Sequence, residues 1–228
     1  MEPVQRMAGS RDNGRAIHRE RRIRRGRMRR PRLINAVAPL WNYRSWPIGT
    51  CWQNPAGTLR YIPISKCAHT ATVRAVQARG WSQTDFFREP DFRGRYVVIL
   101  RDPVDRWQAG IDVYIGAELG GWDSLSDRTW QALTDIWRVD PHTESQMLYL
   151  HGLPLSQIQA IDFQAPDWSR LGVEVPQGVN SRPHWWPRPR LQEFRQDAAL
   201  VARCQAVYRQ DYHLRSWLLG HAVPDTIR

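Results

Sequence analysis

Among its 33 basic side chains this 228-residue sequence holds a single lysine, Lys66, within Tyr61-Ile-Pro-Ile-Ser-Lys66-Cys-Ala-His-Thr70. An ammonium is a compact charge on a flexible stem, whereas a guanidinium is a broad planar fork. A tight loop that grips a phosphate or sulfonate oxygen has room for the first and often not for the second. Lys66 stands where an apolar strand turns into a helix, and the first-turn amides of a helix favour a bound anion. Ala68 is small enough for close backbone approach, and His69 and Thr70 add an imidazole and a hydroxyl. Lys66, Cys67, Ala68, His69 and Thr70 are therefore the candidate anion loop. It is not a Walker A loop, because no glycine lies between residues 58 and 79.

Two further segments carry chemistry. Val98-Ile-Leu-Arg101-Asp102-Pro103-Val104-Asp105-Arg106-Trp107 ends an apolar run in a charged turn. Asp102 suits a helix N-cap and Pro103 the first helical position, so a common strand-to-helix turn accounts for part of the pattern. Asp140-Pro-His142-Thr-Glu144-Ser-Gln146 places an imidazole among carboxylates, the residue types that move protons.

The elements that must position these segments are legible from periodicity. Leu59–Ile64 reads as a strand, Ser65–His69 as a loop, and Thr70–Arg79 as a helix stopped by Gly80. Tyr96–Leu100 is a continuous apolar run, as expected of a strand buried on both faces of a parallel sheet. A helix begins at Pro103, with Val104, Trp107, Ile111, Tyr114 and Ile115 at helical spacing. Trp130, Leu133, Ile136 and Trp137 mark another helix, and Ile158–Phe163 a third strand. Leu200, Val201, Cys204, Val207 and Tyr208 form a late helical stripe. Residues 34–58 read as loop with one short strand. Strands alternating with helices predict a layered α/β fold.

The two nucleotide-type segments resemble those of sulfotransferases that use 3′-phosphoadenosine 5′-phosphosulfate (PAPS). The first signature of that family is a strand ending in proline, then lysine, small residues and Thr/Ser opening a helix. Here Pro63 stands three places before Lys66 rather than beside it, and His69 occupies a place where serine or glycine is commoner. The second signature, R-D-P-x-x-R after a hydrophobic strand, matches Arg101–Arg106, and 35 residues separate Lys66 from Arg101. That interval accommodates the crossover of a parallel βαβ unit.

The resemblance implies a three-layer, P-loop-like domain with a central parallel sheet flanked by helices, PAPS as co-substrate, and no metal. It assigns Lys66 to the transferred group and Arg101 to the 3′-phosphate. The serine that the family places eight residues after that arginine is Ala109 here, which shifts the grip toward Arg101, with Arg106 or a backbone group assisting. The H-x-x-x-Q spacing of His142 and Gln146 resembles that of carbohydrate and small microbial or phage relatives. It implies His142 as general base and Gln146 as a positioning residue, with Glu144 and His69 the alternatives for the base. Gly178-Val-Asn180-Ser resembles the late asparagine loop near the nucleotide, and Gln205–Tyr212 the closing helix. The likeness runs from about residue 59 to 218 and is weak between Gly116 and Val139.

Composition bounds the rest. Residues 1–32 hold 12 arginines against three acids, which leaves a net charge of +2 for the other 196 residues. Residues 1–33 are thus expected to form a disordered tail able to bind nucleic acid or another anionic polymer, and residues 34–228 the folded domain. His184-Trp-Trp-Pro-Arg188-Pro-Arg190 offers aromatic faces and guanidinium groups suited to an acidic glycan bearing the acceptor hydroxyl. Cys51, Cys67 and Cys204 are too few for a disulfide framework or zinc site. No signal-peptide pattern and no apolar run of spanning length is visible, and the expected location is cytoplasmic. The rival readings are a nucleotide kinase or hydrolase, and a nucleic-acid-binding protein acting through the tail.

Overall fold

Asn54 turns the chain between two strands that must run antiparallel, because the connection is too short for a crossover. Its Oδ1 accepts the N–H groups of Thr58 at 2.9 Å and Leu59 at 3.0 Å, and Gly57 supplies the positive φ of 68°. The strands are β1, Thr50–Gln53, and β2, Leu59–Ile62. These and all later coordinates come from a computed structural model, which describes residues 49–85, 92–175 and 188–227.

The sheet has five strands, completed by β3 (Ser82–Asp85), β4 (Arg95–Leu100) and β5 (Ile158–Asp162), in the order β3-β1-β2-β4-β5. Strands β2, β4 and β5 are parallel, with Ile62 opposite Val98 and Leu100 opposite Asp162. Strands β1 and β3 pair antiparallel. The protein is therefore α/β, as expected, and its five-stranded sheet is mixed, with three parallel strands and two antiparallel ones. The short turn at Asn54 reverses β1, and β3, Ser-Gln-Thr-Asp, is too polar to show the apolar period that marks a strand.

Helices follow the parallel strands. The first is α1, His69–Ala78, after β2; the second is α2, Pro103–Glu118, after β4. Then come α3 (Asp127–Ile136), α4 (Gln146–Tyr149), α5 (Pro189–Gln196), α6 (Ala198–Val207) and α7 (Arg209–Leu219). Asp102 caps α2 as its sequence position predicts, accepting Val104 N at 2.9 Å and Asp105 N at 3.1 Å. The stripe expected to run through Tyr208 divides there, so the closing segment is two helices rather than one.

Two apolar clusters form the core. One surrounds the sheet, with Tyr61, Ile62, Val97, Val98, Ile99, Leu100 and Ile161 buried. The other packs α2 against α3, α5 and α6 through Trp107, whose ring centroid lies 4.9 Å from Trp137 and 4.8 Å from Phe194. Trp107 Nε1 donates to Trp137 O at 3.0 Å, so the buried indole keeps its polar partner. No helix among the described residues is long and apolar enough to cross a membrane. The arginine-rich segment 1–33 lies outside the described residues.

Candidate functional site

Parallel strands deliver their C-terminal ends to one edge, the usual place for a ligand in open α/β sheets. Here β2 leads into the Lys66 loop, β4 into Arg101, and β5 into Phe163. The loop is conformationally unusual. Lys66 has φ 67° and Ala68 φ 55°, both left-handed without being glycine, while Cys67 between them is not. Non-glycine residues in that region cost about 1–2 kcal/mol each and cluster at ligand sites. Alternation of this kind is the backbone pattern of an anion nest, although here the Cys67 N–H between the two left-handed residues donates to Ile64 O at 3.2 Å. Ala68 is also the N-cap of α1 and supplies no side-chain cap.

Within the loop the side chains divide. Cys67 is fully buried, its Sγ 3.5 Å from Gln146 Oε1, and burial pushes its thiol pKa up. Its N–H, too, is committed, to Ile64 O. Lys66 and His69 are half-buried and Thr70 is exposed. Burial first, then the charges of His142 and Lys66, hold the His69 imidazole below its ordinary pKa. Lys66, His69 and His142 therefore share one electrostatic neighbourhood.

Arg101 closes this neighbourhood. Its Nη1 donates to Lys66 O at 3.3 Å, and its guanidinium lies over the Phe163 ring at 4.6 Å. Its Nε is buried with no hydrogen-bond acceptor among the described residues, and desolvation lowers its pKa. A half-buried guanidinium short of an acceptor suits an incoming anion. Gln146 fixes the Arg101 backbone: its Nε2 donates to Arg101 O at 3.0 Å and its Oε1 accepts Arg101 N at 3.0 Å.

Comparison with protein-family models, with curated proteins and with solved structures finds no match to this chain.

Arg106, expected to assist in holding a phosphate, has a different setting. It is 1% exposed. Nε donates to Ser65 O at 2.9 Å, Nη2 to Pro141 O at 3.3 Å, and Nη1 to Glu144 O. Ser65 precedes Lys66, and Pro141 and Glu144 bracket His142, so this guanidinium ties the two candidate catalytic segments together. It positions the site rather than lining it.

His142 lies on that second segment, with Nδ1 2.8 Å from Asp140 Oδ2. The main chain of α2 presses against it at Gly110, where a Cβ would fall 2.4 Å from His142 O. Of the alternatives for a base, Glu144 is 8% exposed, with Oε1 accepting Ser145 N at 2.8 Å and lying 3.6 Å from Arg138 Nη1. That environment suits a structural carboxylate.

Sequence reasoning missed Asp211. Fully buried on α7, it accepts Ser145 Oγ at 2.6 Å, Gln146 N at 2.9 Å and Met147 N at 3.0 Å. It caps α4 from 65 residues away and so holds Gln146 in place. Burial raises its pKa, opposed by these hydrogen bonds. The only sequence signal was its place in the Tyr-x-x-Asp-Tyr ending, which pointed to a helix and not to a cap.

Asn180 and the segment 184–187 lie outside the described residues. Arg188 and Arg190, expected to meet an acidic glycan, instead pair with the protein's own Asp112, at 3.0 Å, and with Asp127 and Glu193. Among the described residues no group of three or more His, Cys, Asp or Glu is placed to hold a metal ion.

Proposed function

We propose that the protein is a PAPS-dependent sulfotransferase that moves a sulfonate to an acceptor hydroxyl. The observation that carries this reading is the contact of Arg101 Nη1 with Lys66 O at 3.3 Å, which puts the two segments side by side, as one shared nucleotide would require. Support comes also from the left-handed turns at Lys66 and Ala68 and, among the described residues, from the start of α1 without a side-chain cap and the Arg101 Nε without an acceptor. In this reading β2, β4 and β5 are the parallel side of the sheet in a P-loop-like, three-layer domain. The reaction needs charge stabilisation and a proton acceptor.

Lys66 and the amides around it offset the charge that grows on the departing 5′-phosphate oxygen. Arg101 anchors the 3′-phosphate. His142 takes the acceptor proton as the acceptor oxygen bonds to sulfur. The sulfur–oxygen bond to the nucleotide breaks with its electron pair leaving on 3′-phosphoadenosine 5′-phosphate. Resemblance of the His142–Gln146 segment to carbohydrate sulfotransferases favours a sugar hydroxyl as acceptor. The self-paired Arg188 and Arg190 lend no support to an acidic glycan.

Thermal melting with 3′-phosphoadenosine 5′-phosphate tests the donor site. At saturating nucleotide the wild type is expected to gain about 5–10 °C, with little gain in Lys66→Ala or Arg101→Ala. No stabilisation of the wild type at millimolar nucleotide refutes the reading. Transfer from labelled donor onto sugars, lipids and phenols identifies the acceptor.

A further inference from the structure

Asp140 is built into a turn that fixes its carboxylate before any substrate arrives. Thr143 N donates to Oδ1 at 3.1 Å, and the Thr143 hydroxyl lies 3.2 Å from the same oxygen. Thr143 Oγ1 in turn accepts Val139 N at 2.9 Å and Asp140 N at 3.1 Å, so the turn closes on itself. The turn is anchored from outside as well. Arg106 and Tyr149 both donate to Pro141 O, Tyr149 at 2.6 Å, and Tyr208 donates to Thr143 O. The second oxygen, Oδ2, is aimed at His142 Nδ1 at 2.8 Å. Both side chains are largely but not wholly covered, at 23% and 17% exposure.

We infer that Asp140 is a positioning residue for catalysis, holding His142 in the tautomer that carries its proton on Nδ1 and its lone pair on Nε2. A carboxylate can only accept, so the ring nitrogen facing it must donate. The other nitrogen is then the basic one. When His142 takes a proton on Nε2, the neutral ring becomes an imidazolium beside a carboxylate, and the fixed charge of Asp140 stabilises the product of that step. The contact itself is independent of the sulfotransfer reading, but its catalytic meaning rests on that reading.

The Asp140→Asn variant separates the two. Asparagine keeps an oxygen for Thr143 N and presents an amide donor to His142, which then has to accept at Nδ1 and carry its proton on Nε2. Long-range proton–nitrogen correlation spectra of histidine-labelled protein distinguish the two neutral tautomers, with His142→Gln assigning the signal. The wild type is expected to be protonated at Nδ1 and Asp140→Asn at Nε2. Sulfonate transfer should fall by about 10²–10⁴ in the variant, with stabilisation by 3′-phosphoadenosine 5′-phosphate retained. Wild-type protein protonated at Nε2, or a variant with the wild-type tautomer, overturns the inference. If the variant does not fold, the wild-type tautomer alone decides. If the wild type transfers sulfonate to no acceptor, the reaction is wrong, and the spectra still decide the role of Asp140.

Discussion

Arg106 Nε donates to Ser65 O at 2.9 Å across 41 residues of sequence, and the same guanidinium reaches the carbonyls on both sides of His142. One buried fork thus sets the separation between the loop of the only lysine and the candidate base. Lysine has three donors but not a planar fork, and cannot meet three carbonyls in one plane. Arg106→Lys is therefore expected to lose about 2–4 kcal/mol through orphaned buried carbonyls, lowering the melting temperature by roughly 5–15 °C. An unchanged melting temperature would show that the three contacts add nothing.

Lys66 should not tolerate the substitution that the rest of the sequence favours. Lys66 sits at a left-handed φ of 67° at the start of the candidate anion loop, where a broad planar fork would present its charge differently from a compact ammonium. Lys66→Arg is expected to keep the fold and the charge yet lose about 10²–10³ in transfer rate, comparable to removing one donor from a charge-stabilising site. Circular dichroism with initial-rate kinetics checks this, and near-wild-type turnover contradicts it.

Gly110 has its own consequence. A Cβ there would lie 2.4 Å from His142 O and 2.7 Å from the carbonyl carbon, so α2 or the histidine segment must shift. Gly110→Ala is expected to cost about 1–3 kcal/mol and to lower kcat more than nucleotide affinity. Calorimetric titration with 3′-phosphoadenosine 5′-phosphate beside kinetics separates the two effects. Equal losses in both would point to general unfolding.

The depressed pKa of His69 gives a pH dependence with a definite sign. Burial, His142 and Lys66 all disfavour its protonated form in the folded protein. Between its lowered folded value and the unfolded value of about 6.5 the unfolded chain binds more protons, so stability falls as pH falls through that window. A bound polyanion reverses the local charge balance and favours the imidazolium. Proton uptake on nucleotide binding should therefore appear as pH falls through and below the ordinary imidazole range, and be reduced in His69→Gln. Calorimetry in buffers of different ionisation enthalpy reads this directly. Equal uptake in both proteins would assign the proton elsewhere.

The sequence by itself determined the strand-loop-helix order around Lys66 and Arg101, the cap at Asp102 and the apolar run through Leu100. Each depends on rules that act within a few residues: period, capping chemistry and proline at a helix start. It also singled out Lys66 by residue type alone. Only the tertiary structure decided what the other polar groups do. Arg106 looked like a phosphate ligand until burial committed it to carbonyls, and Gln146 gained its role from a backbone 45 residues away. Asp211 became a cap across 65 residues, a distance that no local pattern encodes. Polar strand β3 is held by pairing with β1 and not by its own propensity. Hydrogen-bond partners at long sequence separation are set by packing, because burial removes water as the competing partner and leaves each group only what the fold brings near.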